Sequence, residues 1–215
     1  SIDEVYNTTM SFTHSGYDAF YALASFGDLD KRTAANALKI KSLFLDVDCG
    51  EGKEYPNKTE AAIALDKFLS ETSLAELGTP WILSSGGGLH VYWAFDEEVD
   101  IADWKPVAEN LKRLCNKSGF KIDQNVTADA ARVLRVPDTL NYKKEKPRKV
   151  KILVESSPHT FSFKTIAQNL REKMNGSAYE LLQSNINIAG AKPKTELNAN
   201  KVKLIENSIT LFKNI

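Results

Sequence analysis

Cysteine is scarce in this sequence. Cys49 and Cys115 are the only two, without the close spacing of a metal site and too few for a disulfide framework. A reducing compartment fits that pattern. Excess charge is missing as well: 28 Lys and Arg balance 28 Asp and Glu, for a net charge of zero. Bulk charge therefore points to neither nucleic acid nor membrane, and any basic surface has to be local. No apolar run approaches membrane-spanning length, and the opening residues carry no secretory pattern. No membrane partner and a cytoplasmic location are expected. Internal repeats are absent. The sequence opens at Ser1 rather than a methionine, so a piece of a longer protein is expected.

What remains is ordinary globular material: 215 residues, 42% hydrophobic and 26% charged, enough for one large domain or one domain with a small appendage. Short apolar runs at 20–26, 42–48, 79–85, 89–95, 120–126, 131–137 and 149–156 predict strands. A short helix is predicted over 30–39. The stretch 58–72 predicts an amphipathic helix with Ala61, Ala62, Leu65, Phe68 and Leu69 on one face. A further helix spans 101–119, with Pro106 near its first turns and Gly119 as its stop. From about 161 the pattern becomes helical: one helix over 161–174, extended after a break, then a polar linker over 184–200 and a last helix over 201–215. The fold class is α+β, with strand–turn–strand units rather than strict βαβ alternation.

Three stretches carry chemistry. "LFLDVDCGEG" (43–52) ends an apolar strand on Asp46 and Asp48. Residues two apart on a strand share a face, so both carboxylates aim at one spot and repel unless a cation or a proton intervenes. Mg²⁺ suits oxygen ligands of this kind. The plainer alternative is one acid paired near the core and the other capping the loop. "SSGGGLHVYW" (84–93) runs a strand through glycines into a second strand carrying His90, with Tyr92 on the same face. Consecutive glycines let backbone N–H groups approach an anion, and Ser84, Ser85 and His90 add hydrogen bonds to phosphate oxygens. The plainer alternative is a hairpin with an incidental histidine. "KIDQNVTADAARVLRVPDTLNYKK" (121–144) offers Asp123 as a third metal ligand and Arg132 and Arg135 as phosphate partners. There the alternatives are ion pairs to neighbouring acids, and Asp123 or Asp129 capping a turn. An acid pair, a glycine turn with histidine, then an acid with arginines is what a metal-dependent nucleotidyl transferase needs.

In this order the motifs resemble the archaeo-eukaryotic primase superfamily, and within it the primase–polymerases of phages and plasmids. The resemblance covers about residues 18–157. Asp46-Val47-Asp48 matches the first motif, Ser84 to His90 the second, and Ile122-Asp123 the third. Asp123, Val126, Thr127, Arg135, Pro137, Thr139 and Asn141 also fall in register with a segment of cellular primase catalytic subunits. That match selects Asp123 over Asp129. Two departures stand out. Gly86 and Gly87 replace arginines common in the second motif of cellular primases, and the two cysteines cannot supply their zinc-binding insertion.

The resemblance implies a catalytic core with an RRM-like antiparallel or mixed sheet flanked by helices. It implies Mg²⁺ or Mn²⁺, two divalent ions, on Asp46, Asp48 and Asp123. Ser85, Gly86, Gly87, His90, Arg132, Arg135 and Asn141 would bind the nucleotide. It further implies a single-stranded DNA template, nucleoside triphosphates as substrates, and a helicase domain in a full-length protein. Residues 1–157 form the catalytic core on this reading, and 158–215 a helical region that helps initiation. The rival readings are a non-catalytic nucleotide or single-stranded DNA binding module and a metal-dependent nuclease. The run "KKEKPRK" (143–149) is the best local candidate for template phosphates, and the three tryptophans are read as core.

Overall fold

The structure is a computed structural model that describes residues 2–28 and 30–186, with side chains described from Asp3 to Met174. Among these residues the elements run α1 (Ile2–His14), β1 (Phe20–Ala22), β2 (Ala24–Phe26), β3 (Ala37–Asp48), α2 (Lys58–Glu71), β4 (Trp81–Ser84), β5 (Gly88–Asp100) and α3 (Ile101–Ser118). The order continues with β6 (Val133–Arg135), β7 (Leu140–Asn141), β8 (Arg148–Lys149), β9 (Lys151–Val154) and α4 (Phe163–Ile186). The main sheet has five antiparallel strands in the order β2-β3-β5-β4-β9, and β1–β6 and β7–β8 form two small antiparallel pairs. The α+β class expected from sequence is therefore the one observed.

The sheet is built around β3 and β5, which pair from Asp48↔Gly88 down to Lys39↔Asp100 with one irregularity between Ile40 and Ser42. Leu43, Leu45 and Val47 lie opposite Trp93, Val91 and Leu89, and all six are buried. Helices α2 and α3 pack on these two strands. The face of α2 read from the sequence is the buried one, Ala61, Ala62, Leu65, Phe68 and Leu69. Asn57 caps that helix by accepting from the Glu60 amide at 3.0 Å. Phe68 stacks on Phe120 with ring centroids 4.9 Å apart, and truncating so buried a ring to alanine costs about 3–5 kcal/mol. Gly119 ends α3 at φ 76°, a left-handed position where the chain turns back and Phe120 N–H bonds Cys115 O. Trp93 and Trp104 are fully buried, Trp81 partly so.

Several expectations need correction. The run 20–26 is two strands in different sheets, because Leu23 turns aside to bond the carbonyl of Arg132. The helix over 30–39 is a single 3-10 turn, Ala34–Asn36, after which β3 begins. The segment 120–126 forms no strand. Its hydrogen bonds go to turns and to the edge of β3, as described below. Helix α1 was not anticipated at all. Helix α4 runs unbroken through Asn175 and Gly176 to Ile186, overtaking the first residues of the predicted linker. The rest of that linker and the helix at 201–215 lie outside the described residues. Ile166 and Leu170 of α4 are buried, and Phe163 meets Phe95 at 5.2 Å, so the start of α4 packs on the core. No helix among the described residues is long and apolar enough to cross a membrane.

Candidate active site

Asp46 and Asp48 sit at the end of β3, with Asp46 directly across from His90 and Asp48 across from Gly88. The free edge of β3 at this point is covered by the segment carrying Asp123, whose amide donates to Asp46 O at 2.8 Å. One main-chain bond thus joins two parts of the chain that are distant in sequence and brings the third acid beside the first two. Asp48 and Asp123 line one open cleft of about 480 Å³ together with Lys53, Lys121 and Gln124. Asp123 itself is fixed by a tight turn: its Oδ1 accepts from the Asn125 amide at 2.9 Å and its carbonyl from the Thr127 hydroxyl at 3.4 Å. This is the capping role foreseen as the plainer alternative, and it coexists with proximity to Asp46 and Asp48.

The electrostatics record that proximity. Burial first, and then the charges of Asp48 and Asp123, push the Asp46 carboxyl up to about 7, against the opposing pull of Arg132 and Lys143. Lys53, in the loop after β3, places its ammonium 2.6 Å from Asp48 Oδ2. Its own value is raised by the Asp48 hydrogen bond and charge, with Asp123 and Asp46 adding to the effect. A protein ammonium therefore already sits at the mouth of the acid group. Among the described residues no three carboxylate, imidazole or thiol groups are drawn tightly enough to close round an ion. The donor chemistry nevertheless fits a hard divalent cation: three oxygen-bearing acids, one of them half-buried with its pKa raised by burial and by the other two.

Beside the acids lies the glycine turn. Cys49 N–H donates to Gly87 O at 3.1 Å, which fastens the turn to the end of β3. Gly86 adopts φ +82°, and a Cβ there would meet Asn141 Cβ at 2.9 Å. Asn141 is buried and donates from Nδ2 to Ser85 O at 2.7 Å, while Ser85 Oγ accepts from Gly88 N at 3.0 Å. Asn141 and Ser85 thus shape the turn from within. At Gly88 a Cβ would lie 2.1 Å from Val47 O, so the two strands touch there as only glycine allows.

His90 is buried, with Nε2 3.8 Å from Asp46 Oδ1 and Nδ1 3.3 Å from the Tyr92 hydroxyl. Burial and the Arg135 charge lower its pKa to about 4, so the imidazole is neutral near pH 7. The Tyr92 hydroxyl orients the ring through Nδ1 and leaves Nε2 facing Asp46. Arg132 is half-buried and close enough to act on Asp46. Arg135 is differently engaged. It is buried, donates from Nη2 to Asp18 Oδ2 at 3.2 Å, and lies over the Phe20 ring at 4.7 Å. The ion pair to an acid, weighed as the alternative for these arginines, is what Arg135 makes. Asp18 also accepts from the Tyr142 amide at 2.8 Å. Burial raises the Asp18 pKa, but the Arg135 hydrogen bond and charge outweigh it and hold the carboxyl below its usual range.

Sequence reasoning passed over Asp18, Lys53 and Lys58. Lys58 donates to Ser84 Oγ at 2.9 Å. Nothing in spacing marks a lysine in a glycine-rich loop or at a helix start as different from other solvated lysines. Cys49, half-buried beside Asp48, has its thiol pushed up to about 11 by burial and by the Asp48 charge. Further along this sheet face Tyr92, Trp81, Leu83 and Ile152 join Tyr21 and Pro137 round an apolar groove of about 310 Å³.

No protein-family model and no curated protein matches the chain in sequence. Solved structures do match. The AEP domain of the cyanophage S-2L primase–polymerase superposes with a TM-score of 0.54 at 17% identity, covering 76% of this chain and 76% of that one. The polymerase domain of Mycobacterium tuberculosis ligase D, solved in complex with DNA, matches with a TM-score of 0.40 at 16% identity over 78% of this chain and 63% of that one. The chain therefore shares its fold with that cyanophage AEP domain.

Proposed function

We propose that the protein is a metal-dependent primase–polymerase that extends or starts a strand on a single-stranded DNA template from nucleoside triphosphates. The observation that carries this reading is the bond from the Asp123 amide to Asp46 O, which gathers three acids beside the glycine turn and His90 on a primase–polymerase fold. Asp46, Asp48 and Asp123 hold Mg²⁺ or Mn²⁺. Ions bound there supply Lewis-acid neutralisation of the triphosphate and a lower pKa for the attacking 3′-hydroxyl. Neutral His90 offers a ring nitrogen to the phosphate region through hydrogen bonding, and Arg132 adds a fixed positive charge. Gly87, half-exposed with almost no atom near its Cβ position, presents backbone to an anion, whereas Ser85, Gly86 and Asn141 keep the turn in shape. Arg135 serves phosphate binding through the charge it adds beside His90 while Asp18 anchors it. Residues 1–157 are the catalytic core, and the segment 158–215 assists initiation.

Incubating the chain with a primed template, Mg²⁺ or Mn²⁺ and nucleotides tests the reading. Wild type should lengthen the primer and Asp48→Ala should abolish extension, because loss of an ion-holding acid acts on the chemical step. Near-normal extension by Asp48→Ala would remove the assignment. Shortening of single-stranded DNA in the presence of metal alone would favour a nuclease instead.

A further inference from the structure

Three cations gather at the rim of the main sheet, on the side turned away from Asp46 and His90. Leu83 pairs with His90 and with Ile152, whereas Ser84, the next residue, pairs with Leu89 and with Lys151. Alternation therefore puts Ser84 and Lys151 on the face opposite His90. Lys58 reaches that spot from the first turn of α2 and donates to Ser84 Oγ at 2.9 Å. Arg148 arrives from β8 and donates to Gly86 O at 3.2 Å. Burial, and then the charges of Lys151 and Arg148, hold the Lys58 ammonium below the usual lysine value, so the three stand near enough to repel. None of the ion pairs between described residues takes in any of them.

Clustered like charges with no carboxylate between them cost folding free energy unless an anion is bound. The positive surface also continues past the trio. Lys143, Lys144 and Lys146, all exposed, precede Arg148 on the β7–β8 connection, with Glu145 the only acid in that run. A strip of cations suits a polymer of regularly spaced phosphates better than one terminal phosphate.

We propose that Lys58, Arg148 and Lys151 form a phosphate-backbone site, across the glycine turn from the carboxylates, that holds a single-stranded nucleic acid as it passes over the rim of the sheet. Its role as template rests on the polymerase reading above; its affinity does not. The Gly86 carbonyl, pinned by Arg148, and the Ser84 hydroxyl, pinned by Lys58, fix two of the cations to the turn itself.

The test is fluorescence anisotropy of a labelled oligo-dT with the full chain in EDTA, across a salt series. Arg148→Gln/Lys151→Gln, and the same pair with Lys58→Gln, are compared with wild type and with Lys117→Gln, an exposed lysine on α3. Loss of all three cations should weaken binding at least tenfold at low salt and make the log–log salt slope shallower by about 2, at about 0.7 per phosphate contact on single strands. The double variant alters only exposed side chains and carries the test even where Lys58→Gln impairs folding. Unchanged affinity and slope, or an equal loss in Lys117→Gln, would overturn the proposal. A second arm measures metal-dependent binding of a nucleoside triphosphate, expected to stay within twofold of wild type. Lost triphosphate affinity with intact strand affinity would overturn it in favour of a nucleotide phosphate. A wild-type chain that binds oligo-dT through the trio yet extends no primer would count against the polymerase reading alone.

Discussion

Asp46 is a carboxylate in a place that disfavours its charge. Burial and two neighbouring acids raise its pKa from 3.8 to about 7, so the folded state binds a proton more readily than the unfolded chain between those values. The sign follows from linkage: stability falls as pH rises from 3.8 towards 7, because ionising Asp46 costs more in the folded protein. Asp46→Asn removes the titration while keeping the shape. Without metal, thermal denaturation of that variant near neutral pH should show a higher Tm than wild type and a flatter pH profile across the same range. Added Mn²⁺ should raise the Tm of wild type more than that of Asp46→Asn. An unchanged metal-free Tm would mean that the three acids do not press on one another.

At the scale of elements, the decisive contact is the crossing of β3 and β5 at Gly88. A Cβ at Gly88 would sit 2.1 Å from Val47 O, whereas at Gly87 the nearest atom, Asn141 Nδ2, is 4.0 Å away. Gly88→Ala should therefore separate the strands where Asp48 pairs with it, destabilising the protein by about 1–3 kcal/mol and abolishing tight metal-dependent triphosphate binding. Gly87→Ala should fold like wild type, so paired denaturation curves check the contrast. The same region shows what the sequence could reveal. The buried face of α2 and the stop at Gly119 were readable, since amphipathic spacing and a left-handed glycine are local signals. The alternation placing His90 and Tyr92 together was readable for the same reason. The segment 120–126 was not. Its apolar spacing imitates a strand, but Lys121 N–H goes to the Tyr55 hydroxyl, Asp123 N–H to Asp46, and the next residues fold into turns. Those partners lie far away in sequence. The meeting of Asp46, Asp48 and Asp123 was likewise open to motif order but not to periodicity, because a tertiary bond makes it.

At the scale of the whole molecule, the N-terminal segment is stitched to the middle of the chain. Asp18 accepts from Arg135 and from the Tyr142 amide, Thr13 Oγ accepts from Leu140 N–H, and the Tyr142 hydroxyl donates to Thr13 O. Asp18→Ala should leave a buried guanidinium without its partner and cost about 2–3 kcal/mol, less than for a fully buried pair because Asp18 keeps part of its surface in water. Chemical denaturation reads that loss directly. A normal midpoint together with a raised KM for nucleotide would instead make phosphate the first partner of Arg135.

Only two thiols exist in the entire chain, and the fold treats them differently. Cys115 is wholly buried, while Cys49 stands half-open beside Asp48 with its thiol held up to about 11. Alkylation by iodoacetamide should accordingly be slow and confined to position 49, since burial first and the Asp48 charge second keep this sulfur protonated; Mn²⁺ bound at the acids would remove the second cause and speed the reaction. The rate at position 49 would thus report a cation held by the neighbouring acids, readable by mass spectrometry without an engineered label.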